Sequence, residues 1–129
     1  MRYLLDTHTL IWSQDDPSKL SAPATAALSN PAHERLLSVV TLWEIGIKVA
    51  LGKLSLSKPF RAWVQTAVTD LVLTDLPIAL DHIEKQMGLP FHHRDPFDRL
   101  LAAQSLAEGM PLISADAVFD AYGVSRIWN

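Results

Sequence analysis

Short, mostly apolar runs alternate with longer segments of helical character along the whole chain. Runs of this length and composition are typical of buried strands. They predict strands at residues 2–5, 36–40, 71–73, 110–114 and 125–128. Helices are predicted between them, at residues 7–14, 22–28, 41–51, 59–68, 77–87 and 96–107. The alternation predicts an α/β fold of doubly wound type, in which helices cover both faces of a parallel sheet.

Capping residues support several of these boundaries. Ser21 and Thr41 stand where two of the helices begin, and both side chains suit an N-cap. Asp95 stands likewise before Pro96, and proline is favoured at the first position of a helix. Gly109 follows the end of that helix, where glycine commonly terminates helices. These signals favour helices in the stated segments over extended structure.

The length of the chain and its content of 49% hydrophobic residues are typical of a single globular domain, spanning residues 1–129. There is no cysteine, so the chain has neither a disulfide nor a thiolate metal site and fits a cytoplasmic location. The apolar runs fall far short of the ~20 residues needed to span a bilayer, so no membrane association is expected. The net charge of −3 argues only weakly against nucleic-acid binding, because acids gathered around a cation would leave the other surfaces near neutral.

Four acidic residues stand near the boundaries of the predicted elements. Asp6 directly follows the first strand, and Asp116 lies two residues beyond the fourth. Glu44 lies one turn into the helix after the second strand, and Asp98 lies in the first turn of another helix. Because ligands of open parallel sheets bind beyond the carboxyl ends of the strands, these acids are expected to meet at one edge.

Each acid also has a simpler local interpretation. Asp6 and Asp116 could cap the helices that follow them. Glu44 stands four residues before Lys48, an orientation that favours a helical ion pair. Asp95, near Asp98, resembles the first residue of a capping box, and a cap is its favoured role.

If the acids meet at one edge of the sheet, their mutual repulsion must be offset. Two carboxylates about 4 Å apart repel by roughly 4 kcal/mol at an effective dielectric constant near 20, and several such pairs rival a domain stability of about 5–15 kcal/mol. Either the acids are partly protonated or a cation holds them together. Oxygen ligands indicate Mg²⁺ or Mn²⁺ rather than zinc. His92 and His93 are adjacent, which favours a surface or substrate-rim role over metal binding.

Other catalytic motifs are missing from the sequence. It contains no glycine-rich phosphate loop with lysine, no dinucleotide fingerprint and no nucleophile elbow. The helices that carry Trp43 and Trp63 are apolar enough to suggest a homodimer or partner surface.

Four segments together resemble the PIN domain family, and within it the VapC-like toxins of bacterial toxin–antitoxin pairs. The resemblance runs through the chain in order, and the four segments are residues 4–8 (LLDTH), 38–45 (SVVTLWEI), 95–104 (DPFDRLLAAQ) and 111–116 (PLISAD). It implies a three-layer α/β/α sandwich with a central parallel sheet, Mg²⁺-dependent endoribonuclease activity and a cognate antitoxin. The family's four acids correspond to Asp6, Glu44, Asp98 and Asp116.

The resemblance also suggests supporting roles. Thr7, Thr41 and Ser114 match hydroxyl positions that hydrogen-bond the acids or the waters of the metal, and Asp95 matches an additional acid. Ala115 departs from the family, since many relatives have arginine there, which puts a contact to the RNA backbone at that position in doubt.

The working hypothesis is that Asp6, Asp98 and Asp116 bind one or two Mg²⁺ ions, while Glu44 shares the metal or orients the attacking water. Candidates for steering the RNA backbone are Arg94, Arg99 and Lys48. Two alternatives remain open: a catalytically inactive PIN-like binding module, and a phospho-accepting receiver domain. A receiver domain needs a lysine near the end of its last strand, whereas the final lysine here is Lys85.

Overall fold

The computed structural model describes residues 1–92 and 94–129, and places a five-stranded parallel sheet at the centre of the domain. The strand order is β3-β2-β1-β4-β5. The strands are β1 (Arg2–Leu5), β2 (Glu34–Ser38), β3 (Leu73–Leu76), β4 (Leu112–Ile113) and β5 (Arg126–Ile127). Every neighbouring pair is parallel, so the predicted α/β fold is confirmed.

Helices connect the strands and cover the sheet. They are α1 (Thr7–Asp15), α2 (Ala22–Ser29), α3 (Val39–Ala50), α4 (Phe60–Leu71), α5 (Leu80–Met87) and α6 (Pro96–Glu108), with short 3₁₀ helices at Pro17–Lys19 and Ala117–Tyr122. Among the described residues, none of these helices is long and apolar enough to cross a membrane.

Two hydrophobic cores lie on opposite faces of the sheet. Successive strand residues point to opposite faces, so Leu5 and Leu37 enter one core while Leu4 and Leu36 enter the other. The first core includes side chains of α1 to α4, and the second includes residues 101–103 of α6. The strands are therefore apolar on both sides, as expected for a parallel sheet between two helical layers.

Several predicted boundaries differ from the observed ones, and those of three helices affect how the elements are connected. Helix α3 begins at Val39 rather than at Thr41, because the Ser38 hydroxyl accepts a hydrogen bond from the amide of Val40 at 3.1 Å. Helix α4 continues to Leu71 and ends at Val72, which adopts a left-handed conformation with φ of 52°, so β3 starts later than predicted. Helix α5 begins at Leu80 rather than at residue 77.

The two tryptophans assigned to a possible partner surface lie in different environments. Trp63 is 1% exposed within the first core, and its indole nitrogen donates to Asp15 Oδ1 at 3.0 Å. Trp43 is 59% exposed and contacts the edge of Phe97. Trp63 therefore packs in the core and Trp43 is accessible to a partner, while the homodimer or partner surface expected on these two helices stays a prediction.

Replacing these tryptophans should separate core packing from surface exposure. Trp63→Ala removes a large buried side chain, so we expect the free energy of unfolding to fall by about 3–5 kcal/mol. Trp43→Ala should change it by less than about 1 kcal/mol. Urea unfolding followed by circular dichroism measures both values, and equal losses in the two variants would contradict the assignment of Trp63 to the core.

Candidate functional site

Asp6 lies at the carboxyl end of β1 and is only 5% exposed. Its Oδ1 accepts a hydrogen bond from the Thr7 amide at 2.7 Å, which makes it the N-cap of α1. Its Oδ2 accepts from the Ser114 hydroxyl at 2.7 Å, just beyond the end of β4. The carboxylate therefore serves as a helix cap and also joins two adjacent strand ends.

Glu44 reaches the same region from α3 and is 4% exposed. Its Oε1 accepts a hydrogen bond from Thr7 Oγ1 at 2.8 Å, and its Oε2 accepts from Lys48 Nζ at 2.7 Å. Thr7 Oγ1 also lies 3.4 Å from Thr41 Oγ1. Thr7 thus contacts Asp6 through its backbone and Glu44 through its side chain, which fixes the separation between two of the predicted site acids.

The remaining acids lie at the starts of helical segments. Asp95 is the N-cap of α6 and accepts hydrogen bonds from the amides of Phe97 and Asp98 at 2.8 and 3.4 Å. Asp116 caps the last 3₁₀ helix by accepting from the Val118 amide at 3.0 Å, and its own amide donates to Ser114 Oγ. The caps expected of Asp6, Asp95 and Asp116 are present, and they orient these acids at element ends.

Asp98 experiences the fields of all the neighbouring acids. Burial, and after it the charges of Asp6, Asp95, Glu44 and Asp116, together raise its pKa to about 8. The structure therefore brings the four predicted site acids and Asp95 within electrostatic range of one side chain. Four segments that are distant in sequence deliver these groups to one edge of the sheet, as the strand–helix pattern predicted.

Two further ionisable groups respond to this environment. Burial raises the pKa of the Asp6 carboxyl above its ordinary value, against the hydrogen bonds from Ser114 and Thr7. The hydrogen bond to Glu44 raises the pKa of Lys48, despite partial burial. Desolvation thus disfavours the charged form of Asp6 and Asp98, and a cation would relieve that cost.

The donor chemistry of this region fits a hard divalent cation. Its acids supply oxygen donors, and the chain contains no cysteine. Within residues 1–92 and 94–129, no three histidine or carboxylate side chains stand close enough together to hold an ion directly. Mg²⁺ commonly retains several waters and uses one or two direct carboxylates. The arrangement is therefore suited to a largely hydrated ion.

The candidate RNA contacts fall into different environments. Lys48 is half-buried beside Glu44, and Arg94 is exposed. Arg99 is only 3% exposed, and its guanidinium donates to the backbone oxygens of Pro90, Gln86 and Leu89. This burial corrects the prediction that Arg99 contacts RNA. Its guanidinium instead donates hydrogen bonds to backbone oxygens at the end of α5 and in the following turn. His93 lies outside the described residues.

Sequence reasoning gave no role to Gln104, although it belongs to one of the four segments. Its side chain is fully buried, and its Oε1 accepts from Ser38 Oγ at 2.5 Å while Nε2 donates to Pro77 O at 3.3 Å. Ser38 caps α3, which carries Glu44, whereas Gln104 belongs to α6, which carries Asp98. Gln104 therefore holds these two helices in register. An amide among apolar residues of a helix was the only signal for this role.

The raised pKa of Asp98 predicts an unusual dependence of stability on pH in the metal-free protein. The native state retains the Asp98 proton up to about pH 8, whereas the ordinary value is 3.8. Between these values the native state binds more protons than the unfolded chain, so the free energy of unfolding falls as pH rises. Asp98→Asn should therefore become progressively more stable than the wild type between about pH 4 and about pH 8.

Urea unfolding in EDTA across this pH range measures the difference. Asp75→Asn, at an exposed aspartate of β3, is the matched control and should show no such trend. An advantage of Asp98→Asn that stays constant with pH, or grows towards acid pH, would contradict the proposed environment.

Comparisons with known proteins agree with the geometry. The model of the PIN domain family matches residues 3–124. The chain is 24% identical over 115 residues to Ribonuclease VapC22 of Mycobacterium tuberculosis, covering 88% of this chain and 85% of that protein.

Solved structures share the fold at low identity. VapBC2 from Rickettsia felis, bound to a DNA fragment from its promoter, matches with a TM-score of 0.72 and 16% identity, covering 98% of this chain and 99% of that one. VapBC-5 from Mycobacterium tuberculosis, a member of the VapBC family of toxin–antitoxin systems, matches with a TM-score of 0.60 and 22% identity, covering 97% and 94%. With a family match across nearly its whole length, the chain belongs to the PIN domain family, as its sequence predicted.

Proposed function

We propose that this protein is a Mg²⁺-dependent endoribonuclease and the toxin of a VapC-like toxin–antitoxin pair. The observation that carries the proposal is the gathering of acids from four segments around Asp98, of which Asp6 and Glu44 are buried. The named ribonuclease relative supports the activity, and the solved VapBC structures support the pairing with an antitoxin. Cellular RNA as the substrate implies a cytoplasmic location.

Asp6, Asp98 and Asp116 would hold Mg²⁺ or Mn²⁺, directly or through water. When bound, the ion lowers the pKa of a coordinated water and stabilises the negative charge that develops on the phosphoryl oxygens. The carboxylates supply the charge that retains the ion, and the hydroxyl of Ser114 keeps Asp6 oriented. These residues account for ion binding, and none of them is assigned the role of general base.

Glu44 is the residue we assign to positioning the attacking water. Thr7 and Lys48 each occupy one of its carboxylate oxygens, so its orientation is fixed before substrate arrives. The second lone pair of either oxygen can accept a hydrogen bond from water, because a carboxylate oxygen accepts more than one. Lys48, which is paired with Glu44, and the exposed Arg94 would attract the phosphate backbone.

The first test is mutation of the site acids. In Asp6→Asn and Asp98→Asn, we expect Mg²⁺-dependent cleavage of RNA to fall at least about 100-fold, equivalent to about 2.7 kcal/mol of transition-state stabilisation. Asp75→Asn, on the exposed face of β3, should retain activity. Full cleavage by either site variant, measured on purified protein with a folded circular-dichroism spectrum, would overturn the assignment.

A magnesium titration distinguishes the active enzyme from an inactive PIN-like binding module. Ion binding to the native state alone raises stability by about 2.7 kcal/mol at 100 times the dissociation constant. Mg²⁺ should therefore raise the Tm of the wild type, and the rise should be lost in Asp98→Asn. A wild type that shows no rise would favour the inactive module. The family match leaves no support for the receiver alternative.

We also propose that the protein forms a homodimer through the exposed start of α3. Val39 is 43% exposed and Trp43 is 59% exposed, and a groove of about 260 Å³ lies beside Val39 and Leu42. Trp43→Glu would place a charge in the centre of this surface and should convert the dimer to a monomer, as measured by sedimentation velocity. A wild type that is monomeric at micromolar concentration would contradict the homodimer.

A further inference from the structure

A groove of about 380 Å³ runs between α1 and the segment that follows α3, and of the residues used below to define it only Lys48 has a role assigned above. We call it the α1 groove and define it by five of its lining residues: His8, Trp12, Lys19, Lys48 and Lys53. Three are lysines and one is a tryptophan, although the chain as a whole carries a net charge of −3. The groove thus combines cationic and aromatic groups on an otherwise slightly acidic protein.

The α1 groove is continuous with the acidic site. Lys48 lines the groove, and its Nζ lies 2.7 Å from Glu44 Oε2. His8 lines it as well, and stands two residues beyond Asp6, close enough to act on that carboxylate electrostatically. A polymer that occupied the groove would therefore extend directly to the acids.

Aromatic rings form a short series along this groove. Trp12 is half-buried, and its ring centre lies 5.6 Å from that of His8 and 5.8 Å from that of Trp128. The ring planes are inclined by 44° and 54°, so neither neighbour stacks in parallel on the indole. Part-exposed aromatic rings beside lysines are the usual features of sites that bind single-stranded nucleic acid by base stacking.

The acids that line the groove form hydrogen bonds or an ion pair within the protein. The Asp15 carboxylate accepts hydrogen bonds from Ser57 and from the indole of Trp63. Asp16 accepts from Ser18 and lies 3.7 Å from Lys19 Nζ.

The lysines remain accessible to a ligand. The Lys19 side chain is 58% exposed, with its Nζ 5.9 Å from the centre of the Trp12 ring. Lys53 is also exposed. A phosphate backbone can therefore approach these ammonium groups, and a base that stacks on the face of Trp12 beneath Lys19 would displace this ammonium group from the ring.

We propose that the α1 groove binds the single-stranded RNA segment adjacent to the cleaved phosphate, with a base stacked on Trp12 and the backbone against Lys19 and Lys53. The inference rests on the proposed ribonuclease function, since it identifies how the substrate of that site is held. Bases in a duplex have both faces covered by their neighbours, so this mode of binding selects unpaired RNA.

The experiment measures binding separately from cleavage. A fluorescein-labelled single-stranded RNA oligonucleotide is titrated in EDTA with the full-length protein, and its anisotropy gives the Kd. Trp12→Leu should raise the Kd about 5- to 100-fold, the range found when a stacked base loses its aromatic partner. Trp12→Phe should restore most of the affinity, because phenylalanine also offers a ring face. A duplex of the same sequence should bind more weakly to the wild type.

The lysines are tested through salt dependence. Lys53→Ala should reduce the slope of log Kd against log salt concentration by about 0.7, the value for one contact to single-stranded nucleic acid. Lys85→Ala removes an equal charge from exposed α5, outside the groove, and is the matched control. If circular dichroism shows that Trp12→Leu is unfolded, the inference is tested with Lys53→Ala and Trp12→Phe instead.

The outcomes separate this inference from the ribonuclease proposal. RNA binding that is unaffected by Trp12→Leu and Lys53→Ala overturns the groove assignment even if Mg²⁺-dependent cleavage is observed. Binding that depends on Trp12 without any cleavage supports the groove and overturns the ribonuclease. Loss of antitoxin binding in Trp12→Leu, with RNA affinity unchanged, would assign the groove to a protein partner and also overturn the inference.

Discussion

Electrostatic repulsion between carboxylates at one edge of the sheet is the constraint on which the site depends. The parallel sheet brings the carboxyl ends of its strands to the same side, so acids that follow β1 and β4 are near each other. Helices α3 and α6 add Glu44 and Asp98 to the same region. Burial and neighbouring charges raise the pKa of Asp98 to about 8, which expresses the cost of this arrangement in the absence of a cation.

The fold offsets part of this cost with neutral donors. Thr7 donates its amide to Asp6 and its hydroxyl to Glu44, and Ser114 donates a hydroxyl to Asp6. These contacts orient the carboxylates without neutralising them, so their charge remains able to bind a cation. Lys48 forms an ion pair with Glu44, in which its Nζ lies 2.7 Å from Glu44 Oε2.

The fold was largely predictable because it depends on local patterns. Apolar strands alternating with amphipathic helices led to the parallel sheet, and Asp6, Asp95 and Asp116 cap the segments expected of them. The start of α3 was not predictable, because Ser38 and Thr41 are both good caps. Only packing against α6, through the hydrogen bond from Ser38 to Gln104, distinguishes them.

Side-chain environments were harder to anticipate than elements. Arginine at position 99 suggested a phosphate contact, yet its guanidinium is buried against backbone oxygens near the end of α5. Trp63 and Trp43 both lie on apolar helices, but only their positions relative to the sheet make one buried and the other exposed. Such differences depend on contacts between distant segments, which a single sequence does not specify.

We propose above all that Asp6, Asp98 and Asp116 bind one or two cations, directly or through water. A crystal structure of the protein grown with Mn²⁺, with the ion located by its anomalous scattering, tests it most directly. We expect an anomalous peak between these carboxylates, in direct contact or one water away, that is lost in Asp98→Asn. A Mn²⁺ ion bound elsewhere, or no peak at this edge at saturating Mn²⁺, would contradict the claim.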